Sequence, residues 1–336
     1  MVYDCFTFFN ELDLLEIRLN TLKDVVDCFV IAEATRTYRG KPKELYFEKN
    51  RKRYANFLDR IRYIVVDDLL PEEVVEKDVY NLPWVNENRQ RNALARGLSG
   101  AGEDDVVMVS DLDEIPRPSY VVLANERLKG TAESVRFAMS FYNFYINFKN
   151  YSYPRWLLGT IATRYGSFLG GRILSGVRTD RYTQASENVG STIQKLRFLK
   201  SANVLKNAGW HFSFLGGIDA IQKKLAAFSH SEFSVVSREV LEDRLSKGQD
   251  LFGRAGQSFG VPLDSSFPEF VLQNRFRFAK LVFPVDDNYL RRTQVARKMA
   301  SFRGAMYRLV VWLVPDFAAP LLVRFRDKVM KMLGRI

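Results

Sequence analysis

Asp104–Pro118 reads DDVVMVSDLDEIPRP, and the order of its parts decides the fold. Val106, Val107, Met108 and Val109 are apolar on both faces of an extended chain, the pattern of a strand buried inside a sheet rather than half-wet. Three acids, Asp111, Asp113 and Glu114, follow at once. Pro116 and Pro118 predict that the strand goes no further. In open α/β sheets the carboxyl ends of strands are where ligands bind. Alternate residues of an extended chain point the same way, so Asp111 and Asp113 are expected to converge on one partner. Two close carboxylates repel unless a cation or a proton lies between them. A divalent metal ion meets that need; a solvated acidic turn is the other reading.

The surroundings repeat the design. YDCFTFF (3–9) reads as a first strand. NELDLLEIRLNTLKDV (10–25) reads as a helix, with Asn10 as its N-cap and Leu12, Leu15, Leu19 and Leu22 spaced for one face. DCFVIAEAT (27–35) and IRYIVVDDL (61–69) read as strands, WVNENRQRNALARGL (84–98) as a helix. Strands alternating with helices predict a mostly parallel, doubly wound sheet. Right-handed crossovers then put the strand ends on one side. Acids recur at those ends, at Glu33, Asp67 and Asp111. Beyond Pro118, SVRFAMSFYNFYINFKNYSYPRW (134–156) reads as a hairpin or meander. NAGWHFSFLGG (207–217) reads as a strand with a tight turn at Gly216–Gly217, and IDAIQKKLAAFSH (218–230) as a helix.

The chain has 336 residues, 47% of them hydrophobic, enough for a substantial core. Its two cysteines, Cys5 and Cys28, lie in apolar segments and read as buried free thiols of a reducing compartment. Met1 leads into VYDCFTFF with neither a basic region nor a cleavage site, and no apolar run reaches transmembrane length. A cytoplasmic protein, peripheral on the inner face of the membrane, is therefore expected. The net charge of +11 is concentrated: residues 291–336 hold eleven Lys/Arg against two acids, which leaves only +2 for residues 1–290. No nucleic-acid partner is expected on this ground, since phosphate binding needs a basic stripe on the main body.

Three stretches, DCFTFFNELDLLEIRL (4–19), VSDLDEIPRP (109–118) and GWHFSFLGGIDAIQKKLAAFSHSE (209–232), together resemble glycosyltransferase family 17, in order over roughly residues 3–270. The resemblance implies a GT-A-like fold: a Rossmann-type, mixed, mostly parallel sheet flanked by helices, here with a basic amphipathic helical tail. It divides the chain into a nucleotide-sugar-binding half (1–120) and an acceptor and metal-completing half (121–290), and the charge sets off the tail (291–336). It implies inverting, metal-dependent transfer of a sugar, N-acetylglucosamine, from a UDP-sugar donor to a glycan acceptor, and the basic tail adds a lipid-linked glycan as the other acceptor. A nucleotidyltransferase with a similar acidic site, and a non-catalytic sugar- or membrane-binding module, are the alternatives.

The leaving diphosphate needs positive charge, which Mn²⁺ or Mg²⁺ held by carboxylates supplies. Asp113 is the main expected ligand. Asp111 binds the metal directly, through water, or holds the ribose, and Glu114 orients backbone or sugar. The resemblance adds His211 as the completing ligand, imidazole suiting Mn²⁺ better than Mg²⁺; a packed core histidine is the bland alternative. His230 is a further candidate. For the donor, Phe8 or Phe9 stacks on uracil, Asn10 bonds its edge, Glu33 stands at a strand end, and Arg89 and Arg91 reach the diphosphate. Lys223 and Lys224 are read the same way. An inverting transfer needs a base for the acceptor hydroxyl. Glu232 is the choice, with Asp180, Glu187 and Asp250 as alternatives.

In the tail, Val295, Met299, Phe302, Met306, Leu309 and Leu313 make an apolar stripe beside Arg292, Lys298 and Arg303. After Pro315 and Pro320 the design returns, with Leu322, Phe325, Val329 and Leu333 against Arg324, Arg326, Lys328 and Lys331. Such helices lie in an anionic membrane interface or close the fold with basic outer faces.

Overall fold

Val106–Val109 form the middle of one mixed sheet, each residue at most 3% exposed. The computed structural model describes residues 1–169, 203–230, 236–252 and 256–313. The strands are β1 (Val2–Phe8), β2 (Cys28–Ala34), β3 (Ile61–Val66), β4 (Val106–Asp111), β5 (Glu114–Pro116), β6 (Ser134–Asn143), β7 (Phe148–Asn150), β8 (Arg155–Trp156), β9 (Ile161–Arg164), β10 (Asn203–Ser213) and β11 (Ser258–Gly260). The longer helices are α1 (Leu12–Leu22), α2 (Leu82–Ala93), α3 (Pro118–Lys129), α4 (Gly217–Ala227), α5 (Arg238–Ser246) and α6 (Asp287–Leu313).

The strand order is β11-β7-β6-β9-β4-β1-β2-β3, with β10 attached to β5 and β6 and β8 attached to β6. β4, β1, β2 and β3 are all parallel, the expected doubly wound half. β9 is inserted antiparallel between β4 and β6, and β10 runs parallel to β6. The sheet thus joins strands from both sides of residue 120. Alternation along β4 serves two cores: Val106 and Met108 pack with Leu15 of α1 and Val121 of α3, while Val107 and Val109 pack with Leu94 and Leu98 after α2. Cys5 and Cys28 are buried free thiols on neighbouring strands, and burial pushes the Cys5 thiol up.

Three local expectations change. Asn10 does not cap α1: Glu11 holds the cap position without a side-chain bond, and its carboxylate instead accepts from the Asn10 backbone N–H at 3.1 Å. Extended structure ends at Pro116, as expected, but the chain does not run there straight from β4. The chain turns at Leu112–Asp113 and resumes as β5, which pairs antiparallel with β10, and Pro118 then opens α3. Proline suits that place because the first helical N–H has no intrahelical partner. Finally, residue 291 lies inside α6 rather than at its start.

Candidate active site

β1, β2 and β4 deliver their carboxyl ends to one side, and a cavity of about 440 Å³ opens there. Thr7, Phe8 and Phe9 line it from the end of β1, Arg36 and Tyr38 from beyond β2, and Asp111 and Asp113 from the end of β4 and the turn after it. α2 adds Trp84, Glu87 and Arg91. Gln90 of the same helix donates to the carbonyls of Phe8 at 3.2 Å and Ala32 at 2.8 Å, which ties two strand ends together.

The two aspartates take different partners, because the turn at Leu112–Asp113 breaks the extended geometry that would have aligned them. Arg91, buried, donates to Asp111 Oδ1 at 2.7 Å and to Glu87 Oε1 at 3.1 Å. Ser229 donates to the other Glu87 oxygen at 2.5 Å. Burial works against the Arg91 charge, but Asp111 and Glu87 more than offset it. The Asp111 side chain keeps 38% exposure toward the cavity.

Asp113 is more deeply set. Its Oδ2 accepts from Lys224 Nζ at 3.1 Å, and its Oδ1 faces His211 Nε2 at 3.5 Å. Burial alone would raise its pKa; the Lys224 ammonium and the His211 ring outweigh burial and hold it well below the usual carboxylate range. Lys224 also reaches Glu11 Oε1 at 3.1 Å. Burial disfavours its charge, yet Asp113 and Glu11 together push its pKa up.

Register places the histidine. The β5–β10 pairing sets His211 opposite Glu114, three residues past Asp111. The His211 ring stacks on Phe141, centroids 4.9 Å apart and planes 8° apart, with Trp156 4.5 Å away. Trp156 Nε1 donates to Glu114 Oε1 at 2.6 Å, and Glu114 Oε2 accepts from the Asp111 N–H at 3.0 Å. Glu114 therefore shapes the turn and does not line the cavity.

Asp113 and His211 suit a shared divalent ion. Donors at adjacent corners of a six-coordinate ion with bonds of about 2.1 Å stand about 3 Å apart, and the Asp113–His211 separation of 3.5 Å is close to that. His211 Nδ1 is buried with no hydrogen-bond partner among the described residues. Among the described residues no three His, Cys, Asp or Glu groups gather to form a closed metal cage. The two residues would form an open site, leaving an ion's other positions to water or an anionic ligand, the usual manner of small hard cations.

Other expected residues fall in several places. His230 lines the cavity, its ring 4.6 Å from that of Trp84. Glu33 is fully buried outside it, accepting from Lys43 Nζ at 2.9 Å, the Tyr46 and Phe47 N–H groups and the Tyr63 hydroxyl. It thereby fixes Lys43, which does line the cavity. Arg89 donates to the Asp68 carbonyl at 2.8 Å, away from the cavity, and Lys223 is exposed. Asn10 and Asp250 do not line it; Asp250 accepts from the Phe252 N–H at 2.9 Å. Asp180, Glu187 and Glu232 lie outside the described residues. Glu11, Glu87, Lys43 and Trp156 went unread in the sequence. For Glu87 a signal existed: it stands four residues before Arg91, on the same helix face.

Residues 1–158 match the model of glycosyltransferase family 17. The chain is 25% identical over 240 residues to the human β-1,4-mannosyl-glycoprotein 4-β-N-acetylglucosaminyltransferase, and equally to that of the rat. Each alignment covers 67% of this chain and 42% of the relative, so the chain spans under half the length of the curated relatives it matches. Among solved structures it is similar to glucosyl-3-phosphoglycerate synthase from Mycobacterium tuberculosis, in complex with Mn²⁺, UDP and glucosyl-3-phosphoglycerate, at TM-score 0.32 and 14% identity, covering 81% of this chain and 91% of that one. It is similar also to 4-diphosphocytidyl-2C-methyl-D-erythritol synthase from Anaerococcus prevotii, at TM-score 0.33 and 13% identity, covering 62% and 87%. Likenesses that faint carry no argument. Over its first 158 residues, and by these relatives, the chain is similar to glycosyltransferase family 17.

Proposed function

We propose that the chain is an inverting glycosyltransferase that moves N-acetylglucosamine from a UDP-sugar to a glycan or lipid-linked glycan acceptor. The observation that carries this is the Asp113–His211 pair, 3.5 Å apart on the floor of a cavity at the carboxyl ends of parallel strands. Asp113 and His211 would hold a divalent cation, Mn²⁺ or Mg²⁺, which when bound would supply Lewis-acid stabilisation to a departing diphosphate. Phe9, with Lys43 5.6 Å from its ring, offers a flat cationic berth for a nucleotide base, while Phe8 is buried in the core beneath it. Arg91 fixes Asp111, whose exposed carboxylate turns toward the ribose or the ion. The aromatic wall of Trp84, Phe228 and Phe252 faces the acceptor and excludes water from the reacting bond. Glu232, two residues past the cavity-lining His230, is the base for the acceptor hydroxyl.

Hydrolysis of UDP-N-acetylglucosamine with Mn²⁺ tests this. EDTA should abolish turnover, and Asp113→Asn should lower it about a hundredfold or more in a folded protein, the scale of losing one electrostatic stabiliser. Turnover indifferent to EDTA, or normal in Asp113→Asn, would overturn the proposal.

We also propose an anionic lipid surface as partner. α6 exposes Val295, Met299, Phe302 and Met306 at steps of three and four, with Arg291, Arg292 and Lys298 exposed nearby. The second basic segment of the tail lies outside the described residues. Among the described residues no helix is long and apolar enough to cross a membrane.

A further inference from the structure

Asp113 has one carboxylate and already has a fixed cation on it. Lys224 Nζ holds Oδ2 at 3.1 Å while Oδ1 faces His211. The same ammonium holds Glu11 at 3.1 Å, so three charged groups from β1's end, β4's end and α4 meet at one point. A divalent ion set between Asp113 and His211 would share that small carboxylate with a full positive charge, and like charges at such a distance repel strongly away from water. We infer that Lys224 is a positioning residue: it keeps Asp113 a poor ligand for a bare divalent cation and yields it when a nucleotide diphosphate arrives, so that cation and nucleotide bind as a coupled pair.

The inference rests on the Asp113–His211 reading above. Its physical basis is charge balance. Asp113, Glu11 and Lys224 together carry one net negative charge, too little to welcome a divalent ion beside a retained ammonium. A diphosphate brings further negative charge to the same point and offers Lys224 new acceptors. The lysine has the means to move, since its ammonium is a compact charge with three donors on a flexible four-carbon stem. α4 need not shift. Glu11 supports the exchange, because it anchors the ammonium near the cavity while Asp113 turns to the ion. Coupling between two ligands is reciprocal, so the nucleotide tightens the cation and the cation the nucleotide by one factor.

Titration calorimetry of the full chain with Mn²⁺, alone and with saturating UDP, tests this. Wild type should bind Mn²⁺ alone weakly and about tenfold or more tighter with UDP, within the usual range of coupling between sites. Lys224→Met should bind Mn²⁺ alone about tenfold tighter than wild type, the size of a direct pairwise term, and should lose most of the UDP enhancement. Lys224→Arg, still a cation, should keep the wild-type pattern. A purely structural ion pair would make Lys224→Met less stable without tightening Mn²⁺. Should Lys224→Met not fold, Lys224→Gln, which keeps a polar donor, carries the same expectation. Mn²⁺ bound no tighter by either uncharged variant, with UDP enhancement intact in all, overturns the role of Lys224 and leaves the metal reading standing. No Mn²⁺ binding even with UDP, or unchanged binding in Asp113→Asn, overturns the metal reading and this inference with it.

Discussion

Arg18 is fully buried, yet all of its donors are used. It forks onto Asp4 at 2.8 and 2.6 Å and donates to Ser110 Oγ at 2.6 Å. Nη1 reaches the carbonyls of Asp111 at 2.9 Å, Leu112 at 3.1 Å and Glu114 at 2.9 Å. One guanidinium therefore moulds the turn that presents Asp113. Arg18→Met leaves the Asp4 charge buried and unpaired, and should cost about 3–5 kcal/mol, read as a lower urea midpoint. Asp4→Leu with Arg18→Met should recover part of that stability, because no charge is then stranded. On the metal and donor proposal it should still bind UDP–Mn²⁺ poorly, since the carbonyls of the turn remain without their donor. Recovery of both properties would show that the turn does not need Arg18. The sequence singled out Asp111 and Asp113 by chemical type and by place at a strand's end, and His211 through the resemblance; the structure brings Asp113 and His211 together. It could not disclose Arg18, whose turn partners lie 93 to 96 residues away. Nor could it separate Lys223 from Lys224; only the pitch of α4 turns one to solvent and the other to Asp113.

At the scale of elements, the strands and helices of the first half were legible because each carries its own period and punctuation. The pairing of the second half was not. That β9 enters antiparallel between β4 and β6, and that β10 joins β5 to β6, depends on contacts far apart in sequence. Yet this pairing sets His211 opposite Glu114. The Gly216–Gly217 turn was legible, and it does the next job: it reverses β10 into α4, which carries Lys224. Both glycines adopt positive φ, +105° and +82°. A side chain at 217 would meet nothing within 4 Å, whereas a Cβ at 216 would stand 2.9 Å from the Ala220 Cβ. Gly217→Ala should therefore cost only the left-handed backbone penalty, about 1–2 kcal/mol. Gly216→Ala should cost more, because the first turn of α4 must also shift. Urea unfolding of the two variants decides the order; equal midpoints would show that the Ala220 contact relaxes freely.

For the whole molecule, α6 is the element with two allegiances. Its inner face docks closely: Ala300 is buried, a Cβ on Gly304 would lie 1.9 Å from the Ser152 carbonyl oxygen, and the Tyr289 hydroxyl accepts from the Gly260 N–H at 3.0 Å. Its outer face leaves Val295 67% and Phe302 65% exposed. Cutting the chain at residue 291 would remove the docked face along with the exposed one, so truncation confounds stability with surface binding. Val295→Gln with Phe302→Gln alters only the exposed face and should leave thermal stability unchanged. On the lipid proposal it should weaken sedimentation with anionic vesicles, since an interfacial helix binds through its buried apolar area as well as its charge. Arg291→Glu with Arg292→Glu should weaken it too, each basic residue near such a surface contributing about 1 kcal/mol. Wild-type binding should fall as salt rises, because screening shortens the reach of those charges, while a remainder from the apolar stripe persists. Wild-type protein that ignores anionic vesicles at low salt, or sediments equally with zwitterionic ones, would make the stripe an ordinary exposed helix face and leave the acceptor to be sought in solution.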